Sequence, residues 1–310
     1  MKKLILFLCI SMICLVSKAQ TSMMATLCHN GEITTYFTNS ALSEAYNAAQ
    51  EGDVITLSSG NFNAIAIGKP ITLRGAGMMG NNPTEIQGSL YIEVTTPGKP
   101  VIIEGIHFIS AVNLDKGSAN LTKCRIRNLN QASDTQSKLF HCDIYGSFSP
   151  YGNNATSYLF GCHVKGEKLY NAYYENCTCE FKNLSGTPSL KNSIIKTSTN
   201  SLTKFNQGAS VSNCVYVGPI SDPFSDLPPF HNNINLPSNT DFFKEDSTIY
   251  ELKDEYAKTW LGSDGTQVGM HGSSLPFDPT TSVPQIKKYE VSAKTSVDGK
   301  LSVNIEIDGE

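Results

Sequence analysis

Leu121-Thr122-Lys123-Cys124-Arg125-Ile126, Leu139-Phe140-His141-Cys142-Asp143-Ile144 and Leu159-Phe160-Gly161-Cys162-His163-Val164 are three copies of one phrase, apolar-x-x-Cys-x-apolar. Tyr174-x-x-Cys177-x-Cys179, Leu190-x-x-Ser193-x-Ile195 and Val211-x-x-Cys214-x-Tyr216 repeat it. Ile102-x-x-Gly105-x-His107 reads as an earlier copy with Gly in the Cys position. From residue 105 the slot recurs in steps of 19, 18, 20, 15, 16 and 21 residues. A unit this short, rich in strand formers and without helical periodicity, is one turn of a β-coil, and coils repeated at this spacing stack into a solenoid. The expected fold is all-β, a parallel β-helix.

Strand alternation sorts the side chains of each copy. The leading apolar residue, the slot residue and the apolar residue two later point inward. The residues one and three after the slot point outward. One outward column then holds Arg125, Asp143 and His163, and the next holds Arg127, Tyr145, Lys165, Glu180 and Lys196. A slot that accepts Cys, Ser or Gly wants a small side chain, and a free Cys behaves as a small buried hydrophobe. Seven cysteines lie beyond residue 20, and their shared slot favours a stack of interior thiols over a disulfide framework. Adjacent coils lie about 4.8 Å apart, within disulfide range, so an occasional bridge stays open. Cys177 and Cys179 both point inward with no His pair nearby, which argues against zinc. Asn176, Asn192 and Asn213 precede the slot in later copies. They suit a left-handed bend between strands, with their amides bonding along the axis.

The chain opens with Lys2 and Lys3, an apolar run from Leu4 to Val16, and Ser17-Lys18-Ala19 before Gln20. This reads as a signal peptide over 1–19, cleaved near Ala19-Gln20. Ile13 before Cys14 is a poor lipobox residue, and the run is too short for a stable membrane span. Export to the periplasm or surface of a Gram-negative bacterium is expected. Ser40 to Gln50 reads as a helix with Leu42, Ala45, Tyr46 and Ala49 on one stripe and Ser40 as its cap. Residues 219 to 250 carry five prolines and read as a long irregular excursion. Beyond residue 283, alternating apolar positions flank Asp298-Gly299, a hairpin signal. This tail, 283–310, is expected to cover the last coil or to serve as a surface attachment.

Gly52-Asp53-Val54-Ile55-Thr56-Leu57 through Phe62, followed by Lys69-Pro70-Ile71-Thr72-Leu73-Arg74-Gly75-Ala76-Gly77, resembles the N-terminal entry of pectin-lyase-like β-helices. There a helix caps the open end before a GD-x-I-x-L coil. Gly262-Ser-Asp-Gly-Thr-Gln-Val-Gly-Met-His-Gly272 is similar to the closing coil of secreted bacterial members. The resemblance implies a single right-handed parallel β-helix domain over 20–282. That fold hosts lyases, hydrolases, esterases and adhesins alike, and no catalytic signature of the lyase or polygalacturonase families is matched.

Net charge is −4, and Arg74, Arg125 and Arg127 are the only arginines, so a nucleic-acid partner is not expected. The outward stripe of Arg125, Arg127, Asp143, Tyr145, His163, Lys165 and Glu180 is the candidate ligand-binding surface, with polysaccharide or a surface glycan as partner. No catalytic residue is assigned. Opposite charges on neighbouring strands also stabilise a sheet, so the same stripe has a purely structural reading. His107 reads as a core histidine. His141 and Lys123 read as solvated, and His231 and His271 remain open. Phe140, Phe160, Tyr151, Tyr158, Tyr170 and Tyr173 include outward aromatics that could stack on sugars or pack beneath a loop. The acidic run Asp241, Glu245, Asp246, Glu251, Asp254 and Glu255 could bind calcium but lacks EF-hand spacing, so no cofactor is implied. The expected protein is a monomeric, exported, non-catalytic carbohydrate binder. The alternatives are a polysaccharide lyase or hydrolase on an acidic polymer, and a structural or adhesive surface protein.

Overall fold

The computed structural model describes residues 23–152, 154–198, 204–227, 232–245, 247 and 249–280, and the backbone of the strands Gln285–Val291 and Val303–Asp308. The leader, His231, Asp246 and the Asp298-Gly299 connection lie outside the described residues. The chain is a parallel β-solenoid of about nine turns with very little helix. Two long sheets run along it. One has 11 strands and begins at an antiparallel hairpin; the other has 12 strands, ending at Ile234–Pro237. The inward residues form one continuous core, including Leu121, Leu139, Leu159, Tyr174, Leu190 and Val211 in the leading apolar column.

The two sheets meet at a bend of uniform geometry. Gly105, Lys123, His141, Gly161, Asn176, Asn192, Asn213 and Asn232 occupy it in successive coils, all with φ between 40° and 66°. Asn and Gly adopt this left-handed conformation at little cost, whereas other side chains incur about 1–2 kcal/mol. The bend also corrects the first copy of the repeat. Phe108 pairs with Ile126 and His107 with Arg125, so Gly105 is the bend residue and Ile106 fills the slot. His107 therefore faces outward and is not a core histidine.

The slot is selected by hydrogen bonding as well as size. Each slot thiol donates to the carbonyl two residues earlier: Cys124 to Thr122, Cys142 to Phe140, Cys162 to Phe160, Cys177 to Glu175 and Cys214 to Ser212, at 3.2–3.5 Å. The slot amide of the preceding coil in turn donates to the slot side chain, as Cys142 N does to Cys162 Sγ and Cys177 N to Ser193 Oγ. Cys214 N donates to Asn233 Oδ1 at 3.0 Å, which marks Asn232-Asn233-Ile234 as one further copy. The excursion at 219–250 thus contains a rung. Where the slot holds Cys or Ser, the residue is small and its sulfur or oxygen both donates and accepts; Ile106 and Asn233, at the two ends of the series, depart from this. The Asn ladder along the axis is not formed in the way the sequence suggests: Asn192 Oδ1 accepts from Ser263 N instead.

All seven described cysteines are free thiols, and all but Cys28 are buried. Burial pushes Cys124, Cys142 and Cys162 well above the usual thiol range. In a chain beginning at Gln20, a maleimide should therefore label Cys28 alone under native conditions. The other six should react only in denaturant, as intact mass before and after denaturation would show. Rapid native labelling of several thiols would contradict this packing.

The N-terminal end is closed by two devices. Helix α1, Ala41–Ala48, buries Ala41, Leu42 and Ala45 against the first strands, as its stripe predicts. Ser40 makes no side-chain cap; Thr38 Oγ1 accepts from the Ser40 amide instead. The hairpin Ala25–His29 and Glu32–Tyr36 pairs antiparallel with Val54–Leu57. Its turn is Asn30-Gly31, with φ of 49° and 84°, both positive as a type I′ turn requires. In the tail, Gln285–Val291 and Val303–Asp308 pair antiparallel as a two-stranded sheet of their own.

Candidate functional site

The second sheet carries the charged stripe, and the register places its first column as the alternation predicts. Glu85, His107, Arg125, Asp143, His163 and Thr178 lie on adjacent strands, one per coil. Lys165, Glu180 and Lys196 align in the second column. Arg127 and Tyr145 stand next to a β-bulge, where the register between their strands shifts after Ile126.

Outward direction does not leave these side chains exposed. Asp143 is 2% and His163 0% accessible, which corrects the reading of this column as an open face. His163 Nδ1 lies 2.7 Å from Asp143 Oδ1, and its Nε2 lies 3.0 Å from Glu180 Oε1. Both nitrogens of the buried ring thus face a carboxylate oxygen at hydrogen-bond distance. Arg125 Nε is 3.2 Å from Asp143 Oδ2, and its guanidinium lies over the Tyr145 ring at 4.8 Å. Lys165 Nζ is 3.7 Å from Glu180. Burial works to raise the Glu180 pKa, but its bond to His163 and the nearby Lys165 and Lys196 charges hold it below the usual carboxylate value.

Tyr250 covers this chain of charges. Its ring stacks on His163 with centroids 3.7 Å apart, and its backbone has φ of 58°. Burial, with the Asp143 and Glu180 carboxylates, pushes its phenol above the ordinary tyrosine range. Tyr250 belongs to a strap, residues 238–245, 247 and 249–280, that runs back along the coils. Phe242, Leu252, Trp260 and Val268 of the strap cover Ile194, Val215 and Val217, outward residues of the last coils. Gly269 N donates to Asn192 O and Met270 N to Thr178 Oγ1. Further back, the Leu275 carbonyl lies 3.1 Å from His141 Nε2, and Lys123 bonds Asp278 at 3.0 Å and the Thr280 carbonyl. His141 and Lys123 are thus held beneath the strap rather than solvated. Burial lowers the His141 pKa against the opposing bond to Leu275.

A second relay stands beside the first. His107 Nδ1 lies 2.9 Å from Glu85 Oε1, and its Nε2 lies 3.4 Å from the Tyr145 hydroxyl. Sequence reasoning missed His107 and Glu85 because the first copy was framed one residue early. What stays open is the rim: exposed Arg127, half-buried Tyr145, and a cleft of about 280 Å³ bordered by Lys165, Glu180, Phe181, Lys182 and Lys196. Arg127 has no carboxylate partner among the described residues.

His271 Nε2 lies 2.6 Å from the Ile249 carbonyl, inside the strap. Phe140 and Phe160 stack on one another at 5.3 Å, and His141 stacks on Phe140 at 4.0 Å. The acidic run is partly ion-paired, Asp241 with Lys253, and Glu251 and Asp254 with Lys244. Among the described residues no group of three or more His, Cys, Asp or Glu has a geometry that could hold a metal ion.

No family model matches the chain, and neither a curated protein nor a solved structure shows significant similarity to it.

Proposed function

We propose that this is an exported β-helix protein that holds a carbohydrate chain along the open rim of the second sheet without cleaving it. One observation carries the reading. The two carboxylates in the stripe, Asp143 and Glu180, are separated by the imidazole of His163, which is sealed from solvent. A glycosidase pair needs water and sugar between its carboxyls. Here that space is filled, so these groups shape the surface and the rim does the binding. Arg127, Lys165 and Lys196 give the rim cationic contacts for an acidic sugar, and Tyr145 offers an aromatic edge. The likeness of the N-terminal entry to pectin-lyase-like proteins supports an extracellular polysaccharide as the partner; Gly262–Gly272, expected as a closing coil, lies in the strap instead.

A polysaccharide lyase is the second reading, favoured by the Glu85–His107–Tyr145 relay. Glu85 fixes the His107 ring, leaving Nε2 to face the Tyr145 hydroxyl, an arrangement suited to proton transfer. Incubation with polygalacturonate and alginate separates the two. Binding without release of unsaturated or new reducing ends is expected. The triple variant Arg127→Ala/Lys165→Ala/Lys196→Ala should weaken that binding at least about tenfold. Unsaturated ends, lost in Tyr145→Phe, would establish the lyase. Binding unchanged in the triple variant would remove the rim as the site.

A further inference from the structure

We propose that a second groove, beyond the ends of the strands that carry the charged rim, binds a neutral oligosaccharide. The inference goes beyond the acidic-polymer reading and does not depend on it. Its origin lies in coil length. The step between slot residues is 20 from Cys142 to Cys162 but 15 from Cys162 to Cys177. The longer coil contributes Tyr151, Gly152, Asn154 and Ala155, and the shorter coils beside it leave a ledge. Two clefts, of about 820 and 450 Å³, open along that ledge and share Ala155 and Asn171 as lining residues. Joined at those residues, they make one groove.

The groove has the chemistry that sugars require. Tyr151 and Tyr173 line it and are 64% and 59% accessible, so two aromatic faces stand free in water. Tyr158 pairs in register with Tyr173 one coil away and is itself 40% accessible. Its hydroxyl donates to Glu175, which fixes the ring. Large aromatic surface left exposed in a concave, polar setting marks a ligand surface. Pyranose rings present an apolar face to such aromatics and hydroxyls to the groups around them. Here those groups are Asn154, Asn171, Ser185, Thr187, Ser189 and Ser210.

Charge decides which glycan. Among the described residues, Lys168 is the only charged side chain lining either cleft, and its ammonium lies over the Tyr170 ring at 4.9 Å. The rim cleft, by contrast, is bordered by Lys165, Glu167, Glu180, Lys182 and Lys196. A polyanion would find almost no countercharge in the tyrosine groove, whereas a neutral chain leaves no charge unpaired there.

Affinity electrophoresis of the protein through gels containing glucan, mannan, galactan, xylan or polygalacturonate tests the proposal. At least one neutral polymer is expected to retard it. Tyr151→Ala/Tyr173→Ala should raise that Kd about tenfold or more. Tyr173→Phe should bind nearly as the parent does, and Arg127→Ala/Lys165→Ala should leave the neutral-polymer Kd unchanged. Both tyrosines are exposed, so the variants should keep the parent melting temperature, checked in the same preparation. Retardation by polygalacturonate alone would overturn the groove while leaving the rim reading intact. Retardation by none of the neutral polymers, or equal retardation of the folded double-tyrosine variant, would overturn it as well.

Discussion

Asp143→Ala should cost about 3–5 kcal/mol of folding stability, because removing one member of a buried ionic chain leaves the others unpaired. His163 Nδ1 would lose its partner in a site closed to water, and Arg125 would lose the carboxylate at 3.2 Å. Asp143→Asn keeps an acceptor for the imidazole and should cost clearly less. Chemical denaturation of the three proteins at neutral pH checks the order. The same chain should make the fold sensitive to acid. The folded Glu180 carboxyl lies below its ordinary value of 4.5. Its contribution is therefore complete above that pH and is lost as pH falls through the lower, folded value. Glu180→Gln should flatten that acid limb. Equal losses for Asp143→Ala and Asp143→Asn would mean that the negative charge itself, not the volume or the acceptor oxygen that Asn keeps, governs the site.

Phe148→Ala should be comparably severe, at about 3–5 kcal/mol. Phe148 is wholly buried and stands one coil beyond Leu129 in the inward register. Its ring meets Tyr170 and Tyr174 edge to face, with centroids 6.2 and 6.4 Å apart. A solenoid coil has neighbours on only two sides, so a void there is closed only by moving a whole rung. Phe148→Leu, which keeps most of the volume, should lose less than half as much. The measurement is guanidinium unfolding, with equal transition slopes as the control that both variants unfold from the same state.

The coil architecture was legible because its signals are local. The Cys phrase fixes an inward triplet by alternation, and Asn before the slot announces a left-handed bend. The framing failed where Gly105 looked like a slot residue, since glycine fits both the bend and a small pocket. The opening hairpin was equally local, in His29-Asn30-Gly31-Glu32, but its strands are short and only half apolar. The strap was less visible. Its contacts join Lys123 to Asp278 and His141 to Leu275, separations that no periodicity encodes. One sequence sign did exist: Ile194, Val215 and Val217 are apolar at outward positions, and an outward apolar residue needs a cover. The charged column was placed correctly, but its burial depended on Tyr250, which lies in a stretch without pattern.

The strap also changes how the molecule should come apart. A stack of coils in which each touches only its neighbours can fray from its ends, rung by rung. Here the segment that follows the last rung reaches back to Asn192, Thr178, His141 and Lys123, and Met270 and Phe277 cluster with Met78 near the start. Loss of the terminal rungs would therefore release contacts on coils far from them. The strap couples remote rungs and turns a linear array towards a single cooperative unit, whose exchange-protected amides should open together rather than in sequence along the axis.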